Sequence, residues 1–212
     1  MSNITPLRPK QDKAPTLENG KVSPPSRRRN SELRSREYLT AKEVQALMVA
    51  AGNTGRHGIR DKALVLLMFR HGLRVSEAVA LRWDAVDLTG GLLHVARLKN
   101  GVPSTHPLRG PELRALRELR RKYPDSPYVF CSERGGPMTA STVRKLITRA
   151  GQLAKLPFPV HPHMLRHSLG FKLANAGHDT RAIQLYLGHK SIMHTVRYTE
   201  LSPERFKSFF RD

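Results

Sequence analysis

The stretch His161-Pro162-His163-Met164-Leu165-Arg166-His167 opens a predicted helix that has two different faces. At 3.6 residues per turn, one face holds the polar residues and a glycine, namely His163, Arg166, His167 and Gly170. The other face is apolar and holds Leu165, Leu169, Leu173 and Ala176. We therefore expect the apolar face to pack inward, and we expect His163 and Arg166, three residues apart, to point out together.

The three histidines of this stretch also raise the question of a metal site. His161 and His163 stand two residues apart across a proline, which is poor geometry for two ligands on one helix, and no carboxylate or cysteine joins them. We therefore expect no metal here. Ordinary surface polarity remains the alternative for this motif when it is considered alone.

Three further motifs are weak when each is considered by itself. Arg74 and Glu77 share a helix face, a spacing typical of a surface ion pair. Lys99 precedes Asn100-Gly101, a strong two-residue hairpin signal, and an ordinary turn lysine is the alternative there. Tyr198 follows Leu187-Gly188-His189 at a short distance, but a lone tyrosine is more often a core or surface aromatic.

The composition points to a polyanionic partner. The chain has 212 residues, enough for one good-sized domain or for a domain and a tail. Lys and Arg number 37 against 17 Asp and Glu, and the net charge of +20 makes sense opposite nucleic acid, although it says nothing about fold. The alternative is a charge that serves only solubility.

Cysteine content and hydropathy exclude several classes of protein. A single cysteine, Cys131, rules out an internal disulfide and a cysteine-rich metal site. The longest apolar run, 63–69, is far too short to span a membrane, and the N-terminus lacks the apolar region of a secretory signal. We therefore expect a cytoplasmic protein without a membrane partner.

The chain divides near residue 38. Residues 1–37 are rich in Pro, Ser, Asn and basic residues, and we expect a disordered basic arm that either touches DNA phosphates or is simply solvated. Residues 38–212 are expected to be globular. Thr40-Ala41-Lys42-Glu43 has the form of a capping box, followed by apolar residues at helical spacing.

Helical patterns dominate the globular part. They fall at about 58–70, 74–81, 111–123, 139–154, 163–176, 180–187, 192–200 and 203–211. Strands are predicted at about 91–95 and 128–130, with a hairpin turn at Asn100-Gly101. The predicted class is α+β, mostly helical, with a small antiparallel β-sheet.

Taken together, the motifs carry a family resemblance. In chain order they are Gly-Leu-Arg-Val-Ser-Glu at 72–77, Lys99 in a hairpin, His-Met-Leu-Arg-His at 163–167, Leu-Gly-His at 187–189 and Arg-Tyr-Thr at 197–199. This order and spacing resembles the catalytic domain of the tyrosine recombinases, the phage integrase family, over residues 38–212. The phrase at 161–168 and the short architecture look most similar to the fimbrial phase-variation invertases of enteric bacteria.

The resemblance implies a role for each matched residue. Arg74 and Arg166 would clamp the nonbridging oxygens of the scissile phosphate, and Tyr198 would attack the phosphorus. The remaining roles are implied in the same way: His163 as general base for the tyrosine, Lys99 as general acid on the leaving 5′ oxygen, His189 as a hydrogen-bond partner of the phosphate, and Glu77 as support for the first arginine.

The chemistry of the residues agrees with these roles. A tyrosine with a pKa near ~10 needs a base beside it to act as a nucleophile at neutral pH. Planar arginine forks suit the phosphate oxygens, and the clustered carboxylates that a two-metal nuclease needs are lacking. We therefore expect no metal or other cofactor and no ATP, because the phosphotyrosyl ester conserves the bond energy for resealing.

The resemblance also implies partners. The expected substrate is double-stranded DNA with inverted-repeat sites, contacted by Arg97 and by the basic run of the arm, Arg27, Arg28 and Arg29. Subunits are expected to associate as dimers or a tetramer on DNA through the C-terminal helix 203–212, and DNA-bending accessory proteins are further candidate partners. The expected location is the cytoplasm, at the nucleoid.

The sequence departs from the family in one respect, and two alternative functions remain open. Most relatives carry a separate helical core-binding domain before the catalytic one, and we expect none here because the arm is too short and too polar. The first alternative function is a type IB topoisomerase-like DNA strand transferase. The second is a catalytically silent DNA-binding regulator.

Overall fold

The structure, a computed structural model, describes residues 36–97 and 101–200 and the backbone of two short strands near the N-terminus. Contacts divide the chain into two units, Met1–Ser35 and Arg36–Asp212. In the first unit, β1 (Leu17–Glu18) pairs with β2 (Lys21–Val22) in antiparallel fashion. Three sets of predictions lie outside the described residues: those for Arg27, Arg28 and Arg29, for Lys99, and for the helix 203–212.

The second unit is mostly helical with a small sheet, and the predicted α+β class is confirmed. Its helices are α1 (Ala41–Gly52), α2 (Gly58–His71), α3 (Val75–Val79), α4 (Gly110–Lys122), α5 (Ala140–Leu153), α6 (Pro162–Asn175), α7 (Thr180–Leu187) and α8 (Met193–Glu200). Each begins and ends within a few residues of its predicted boundaries. Among the described residues, no helix combines the length and apolar content that crossing a membrane requires.

The start of α1 is fixed by the capping box that the sequence predicts. The Thr40 hydroxyl accepts a hydrogen bond from the Glu43 amide, and the Glu43 carboxylate accepts one from the Thr40 amide at 2.7 Å. Just before the cap, the Leu39 amide donates to Ser168 Oγ at 2.7 Å. This long-range bond ties the beginning of the second unit to α6, the helix that carries His163 and Arg166.

The sheet has three antiparallel strands in the order β3 (Val86–Asp87), β4 (Leu92–Val95) and β5 (Ser104–Pro107). Leu93 and Val95 face the core, whereas Leu92 and His94 are exposed, which is the period-2 alternation of a strand with one buried face. The predicted strand at 128–130 is wrong, because only Tyr128 forms a single bridge there, with Arg82.

Two helices in the core end at glycines that lie close together. α2 is buried on nearly all sides and ends at Gly72, with φ +58°, and α7 ends at Gly188, with φ +65°. Both glycines adopt the left-handed conformation that commonly terminates helices. A Cβ atom on Gly72 would lie 2.7 Å from Leu187 Cδ2 at the end of α7, so the two helix ends are in direct contact.

The contact between these helix ends predicts a large stability loss for Gly72→Ala. Gly135→Ala is the matched control, because Gly135 also has a positive φ of +79° but nothing lies within 4 Å of its Cβ position. We expect Gly135→Ala to lower the free energy of unfolding by about 1–2 kcal/mol, the cost of left-handed backbone for an L-residue. Gly72→Ala should cost roughly 1–3 kcal/mol more through overpacking, measured by urea unfolding. Equal losses in the two variants would contradict the packing argument.

Candidate active site

Arg166 lies between the C-terminal ends of α2 and α7. Its two Nη groups donate to the carbonyl oxygens of Gly72 and Leu187, each at 2.5 Å. Carbonyls at a helix C-terminus lack partners within the helix and carry partial negative charge, so they suit a guanidinium. Arg166 is only 1 % exposed, whereas His163 is exposed on the same helix. The prediction that both side chains point outward is therefore confirmed for His163 and wrong for Arg166.

Arg74 is held by Glu77, as the shared helix face indicates. Glu77 Oε1 accepts from Arg74 Nη1 at 2.7 Å, and Oε2 accepts from the Arg74 amide at 2.9 Å. Burial alone would raise the pKa of Glu77, but the hydrogen bond from the Arg74 amide and the charges of Arg97 and Arg74 outweigh burial and lower it. The Arg74 side chain keeps 26 % exposure and faces solvent from a fixed base.

Arg97 is not on the surface, although the sequence analysis assigns it to DNA contact. Its side chain is 0 % exposed and pairs with Glu77 Oε2 at 2.9 Å. It also donates to the backbone carbonyl of Tyr186 at 2.7 Å. The prediction that Arg97 contacts DNA is therefore wrong for this structure, because the whole side chain, including an Nε without a hydrogen-bond partner, is buried and no part of it reaches the surface.

Tyr198 on α8 is 1 % exposed, and its hydroxyl hydrogen-bonds His167 Nδ1 at 2.9 Å. Its ring packs against Gly170, where a Cβ atom would lie only 2.6 Å from the ring carbons, and edge-on against Phe171. Burial raises the pKa of Tyr198, although the charge of Arg166 opposes this effect. Gly170 thus provides the space that the tyrosine occupies.

His167 is a hydrogen-bond partner of Tyr198 that the sequence does not predict. The spacing of four residues from His163 places both histidines on one face of α6, but it does not reveal which ring meets a tyrosine 31 positions later. The two rings lie edge-on, with centroids 4.4 Å apart. Tyr198 therefore contacts His167 directly, and His163 borders that pair from the exposed side.

The histidines of the site are neutral at pH 7. Burial, followed by the charge of Arg166, lowers the pKa of His189 to about 3. His163 is exposed, yet the surrounding chain removes enough water to lower its pKa to about 4, and Arg166 adds to this effect. Burial and the neighbouring His163 lower the pKa of His167 to about 3. His189 Nδ1 hydrogen-bonds Thr195 Oγ1 at 2.8 Å, which fixes its ring 6.3 Å from that of Tyr198.

The structure thus gathers most of the predicted site residues at the joined ends of α2 and α7. The residues brought together are Arg74, His163, Arg166, His189 and Tyr198, with Glu77 in support. Lys99 lies outside the described residues. Within the described ranges, no group of three or more His, Cys, Asp or Glu side chains is arranged to hold a metal ion.

A second buried histidine pair lies behind the site. His71 Nδ1 and His106 Nδ1 are 3.2 Å apart, and His106 Nε2 meets Ser104 Oγ at 2.8 Å. The His106 ring stacks on Tyr186 with centroids 3.9 Å apart. Burial, with the charges of neighbouring His106 and Arg70, lowers the pKa of His71 to about 3, and burial with the charge of Arg97 lowers that of His106 to about 4.

Comparison with known proteins agrees with this geometry. Residues 37–205 match the model of the phage integrase family. The chain belongs to that family, the tyrosine recombinases. The resemblance seen in the motifs is confirmed.

Two relatives and one solved structure illustrate the match. The recombinase is 45% identical over 178 residues to the type 1 fimbriae regulatory protein FimB of Escherichia coli K12, covering 82% of this chain and 88% of FimB. It is 43% identical to FimE of the same strain, covering 81% and 89%. The crystal structure of XerA recombinase superposes with a TM-score of 0.70 at 28% identity, and the match spans 81% of this chain and 63% of that one.

The buried pair His71 and His106 predicts acid-sensitive stability in this recombinase. Both are neutral when folded and titrate near pH 6.5 when unfolded, so the unfolded chain binds more protons between about pH 6.5 and pH 4. Stability should be full above pH 6.5 and fall with falling pH by up to about 1.4 kcal/mol per pH unit for each group.

The slope of unfolding free energy against pH, from urea titrations, measures this effect. His106→Gln should reduce the slope by up to about one proton's contribution of roughly 1.4 kcal/mol per pH unit. His178→Gln, at an exposed position, is the control for the substitution itself. Equal slopes for His106→Gln and the wild type would show that this pair does not cause the pH dependence.

Proposed function

We propose that this tyrosine recombinase is a site-specific DNA invertase that cuts and rejoins DNA through a 3′-phosphotyrosyl intermediate, as in phase variation. One observation supports the proposal above all. Arg74, Arg166, His167 and His189 converge around the buried Tyr198. The similarity to the fimbriae regulatory proteins FimB and FimE supports the more specific role in inversion.

In the proposed reaction, the Tyr198 oxygen attacks the scissile phosphorus and the 5′ oxygen of the next nucleotide leaves. Arg74 holds the nonbridging oxygens from its partly exposed position, and Arg166 contributes the N–H donors that its bonds to the Gly72 and Leu187 carbonyls leave unused. Both arginines stabilise the charge that develops on the phosphate. His189, fixed by Thr195, hydrogen-bonds the same phosphate. Rejoining reverses these steps: a 5′ hydroxyl attacks the phosphotyrosine and releases Tyr198, so the bond energy is conserved and no ATP is needed.

The proton of Tyr198 needs an acceptor when the tyrosine reaches DNA. In the structure its hydroxyl is paired with His167 and buried, so attack on a phosphate requires the tyrosine to move away from that partner. We propose that His163, exposed and edge-on to His167, then takes the proton as general base. A phosphate nearby would favour the charged form of His163 and raise its low pKa.

The proposed general acid is Lys99, two residues beyond the buried Arg97. A deoxyribose 5′ oxygen is a poor leaving group unless it is protonated, and an ammonium group supplies that proton. The family resemblance is the support for this role.

The proposed partner is double-stranded DNA that carries inverted repeats, and the +20 net charge supports a polyanionic partner. We propose that residues 38–212 form the catalytic domain, and that Arg27, Arg28 and Arg29 of the N-terminal arm add phosphate contacts. We also propose that subunits assemble into dimers and a tetramer on DNA through residues 203–212. The proposed location is the cytoplasm, at the nucleoid, and DNA-bending proteins are proposed accessory partners.

The nucleophile is tested with Tyr198→Phe. The substrates are overlapping nicked DNA duplexes that together cover the inverted repeats near the gene. The wild type should form a covalent protein–DNA adduct on such a duplex and Tyr198→Phe should form none. DNA binding by the two proteins should be nearly the same. Tyr186→Phe is the matched control, because the Tyr186 ring packs on His106 and its hydroxyl donates only to a backbone carbonyl. An adduct with Tyr198→Phe but not with Tyr186→Phe would overturn the assignment.

The general acid is tested with a 5′-bridging sulfur substrate. A thiolate leaves without protonation, so Lys99→Ala should cleave the sulfur substrate at nearly the wild-type rate and remain at least ~10²-fold slow on ordinary DNA, in line with loss of a general acid. Single-turnover cleavage rates measure both. Equal defects on the two substrates would mean that Lys99 only binds DNA.

A further inference from the structure

Arg97 lies beneath the site, where four protein acceptors surround its guanidinium. Nη1 donates to Glu77 Oε2 at 2.9 Å and approaches the Gly72 carbonyl at 3.5 Å. Nη2 donates to the carbonyls of Tyr186 at 2.7 Å and His71 at 3.2 Å. The side chain is fully buried, so its interactions are with the protein alone.

The contact with Glu77 connects Arg97 to Arg74, one of the two arginines proposed to hold the phosphate. Glu77 Oε2 accepts both from Arg97 and from the Arg74 amide, while Oε1 accepts from the Arg74 guanidinium. Arg97 therefore holds the Glu77 carboxylate from the protein interior, and the carboxylate in turn holds the Arg74 side chain on the solvent side. With Arg97 removed, Glu77 Oε2 loses one of its two donors, and the carboxylate is held only by Arg74, the residue that it has to orient.

The backbone contacts place Arg97 beside Arg166. Both guanidiniums bridge the same two helix ends: Arg166 contacts Gly72 and Leu187, and Arg97 contacts Gly72 and Tyr186. Two like charges side by side repel each other, and the carbonyl dipoles at the two helix C-termini offset that repulsion. Burial, and after it the charges of Arg74 and Arg97, lowers the pKa of Arg166 to about 9.

Packing leaves room for this side chain and for little else. A Cβ on Gly188 would lie 2.7 Å from Arg97 Cγ, and a Cβ on Gly101 would lie 2.7 Å from Arg97 Cβ. The arginine stem therefore passes between two glycines, one of them next to His189. A lysine fits the same channel, but its single ammonium cannot reach Glu77 and the Tyr186 carbonyl with the forked geometry of a guanidinium.

We propose that Arg97 is a positioning residue that sets the aim of Arg74 on the phosphate by holding Glu77 from within the protein. The inference rests on the proposed strand-transfer function. It predicts that Arg97 affects the cleavage step and leaves DNA affinity almost unchanged, because no part of Arg97 faces the DNA.

A double-mutant cycle of Arg97 with Arg74 tests the proposal. Single-turnover cleavage of the nicked duplex at saturating wild-type or variant protein should fall about 10-fold for Arg97→Lys and about 10²-fold for Arg97→Met, by loss of a preorganised donor. In the Arg74→Ala background, the same substitutions should cost less than about 3-fold, because residues that act as a unit are non-additive. Arg121→Lys and Arg121→Met, on the exposed face of α4, are the matched controls and should leave cleavage unchanged.

The outcomes separate positioning from loss of fold and from failure of the proposed function. If circular dichroism shows that Arg97→Met is unfolded, the double-mutant cycle is measured with Arg97→Lys only. Full additivity with Arg74→Ala, or a loss of DNA affinity equal to the loss of rate, overturns the proposal. A wild type that forms no Tyr198-dependent adduct on any of the overlapping nicked duplexes instead overturns the proposed function.

Discussion

The architecture of the site depends on one arrangement: two helix C-termini, capped by Gly72 and Gly188, direct their free carbonyls at Arg166. Those carbonyls need donors because they lie in the interior, and a guanidinium supplies several donors from one rigid plane. The same bonds that satisfy the two helix ends therefore fix the side chain of Arg166, which we propose to be catalytic. Stability and function are coupled here, and substitutions that separate the helices also move Arg166.

The site has more positive charge than its own residues neutralise. Within the described part of the chain, Arg74 and Arg97 share the carboxylate of Glu77, and Arg166 has only backbone acceptors. The nearby histidines do not add charge, since burial and these arginines keep them neutral. A site of this kind is prepared for an anion, and a phosphodiester would offset repulsion that the folded protein otherwise tolerates.

The sequence predicts the positions of the α-helices and most residues of the candidate site. Periodicity, the capping box at Thr40 and the glycines at helix ends predict all eight described α-helices, because those signals are local, but they do not predict the 3-10 helix Trp83–Ala85. The segment at 128–130 was misjudged because a short β-rich run forms a strand only where a neighbour pairs with it, and here only Tyr128 does so. The motifs at Arg74, His163, Arg166, His189 and Tyr198 were found through the family spacing rather than through any single local signal.

The errors at Arg97, Arg166 and His167 share another physical cause. Charged residues are usually exposed, so sequence reasoning places an arginine after a strand on the surface and a polar helix face toward solvent. Arg97 and Arg166 are buried because helix-end carbonyls and one carboxylate, brought together only by the fold, accept hydrogen bonds from their Nη groups, although Arg97 Nε has no partner. His167 meets Tyr198 for the same reason: the contact joins α6 to α8, and no pattern within either helix encodes it.

The burial of Tyr198 links this internal network to catalysis. The tyrosine hydroxyl is enclosed with His167, its ring rests on Gly170, and its pKa is raised, so in this conformation it is neither exposed to DNA nor activated. Arg74 and Arg166, in contrast, are already held in place by bonds that do not involve DNA. The rigid part of the site is therefore the pair of arginines proposed to receive the phosphate, and the part that has to move in the proposed reaction is Tyr198. Since α8 is a short helix of eight residues, its movement disturbs few backbone hydrogen bonds.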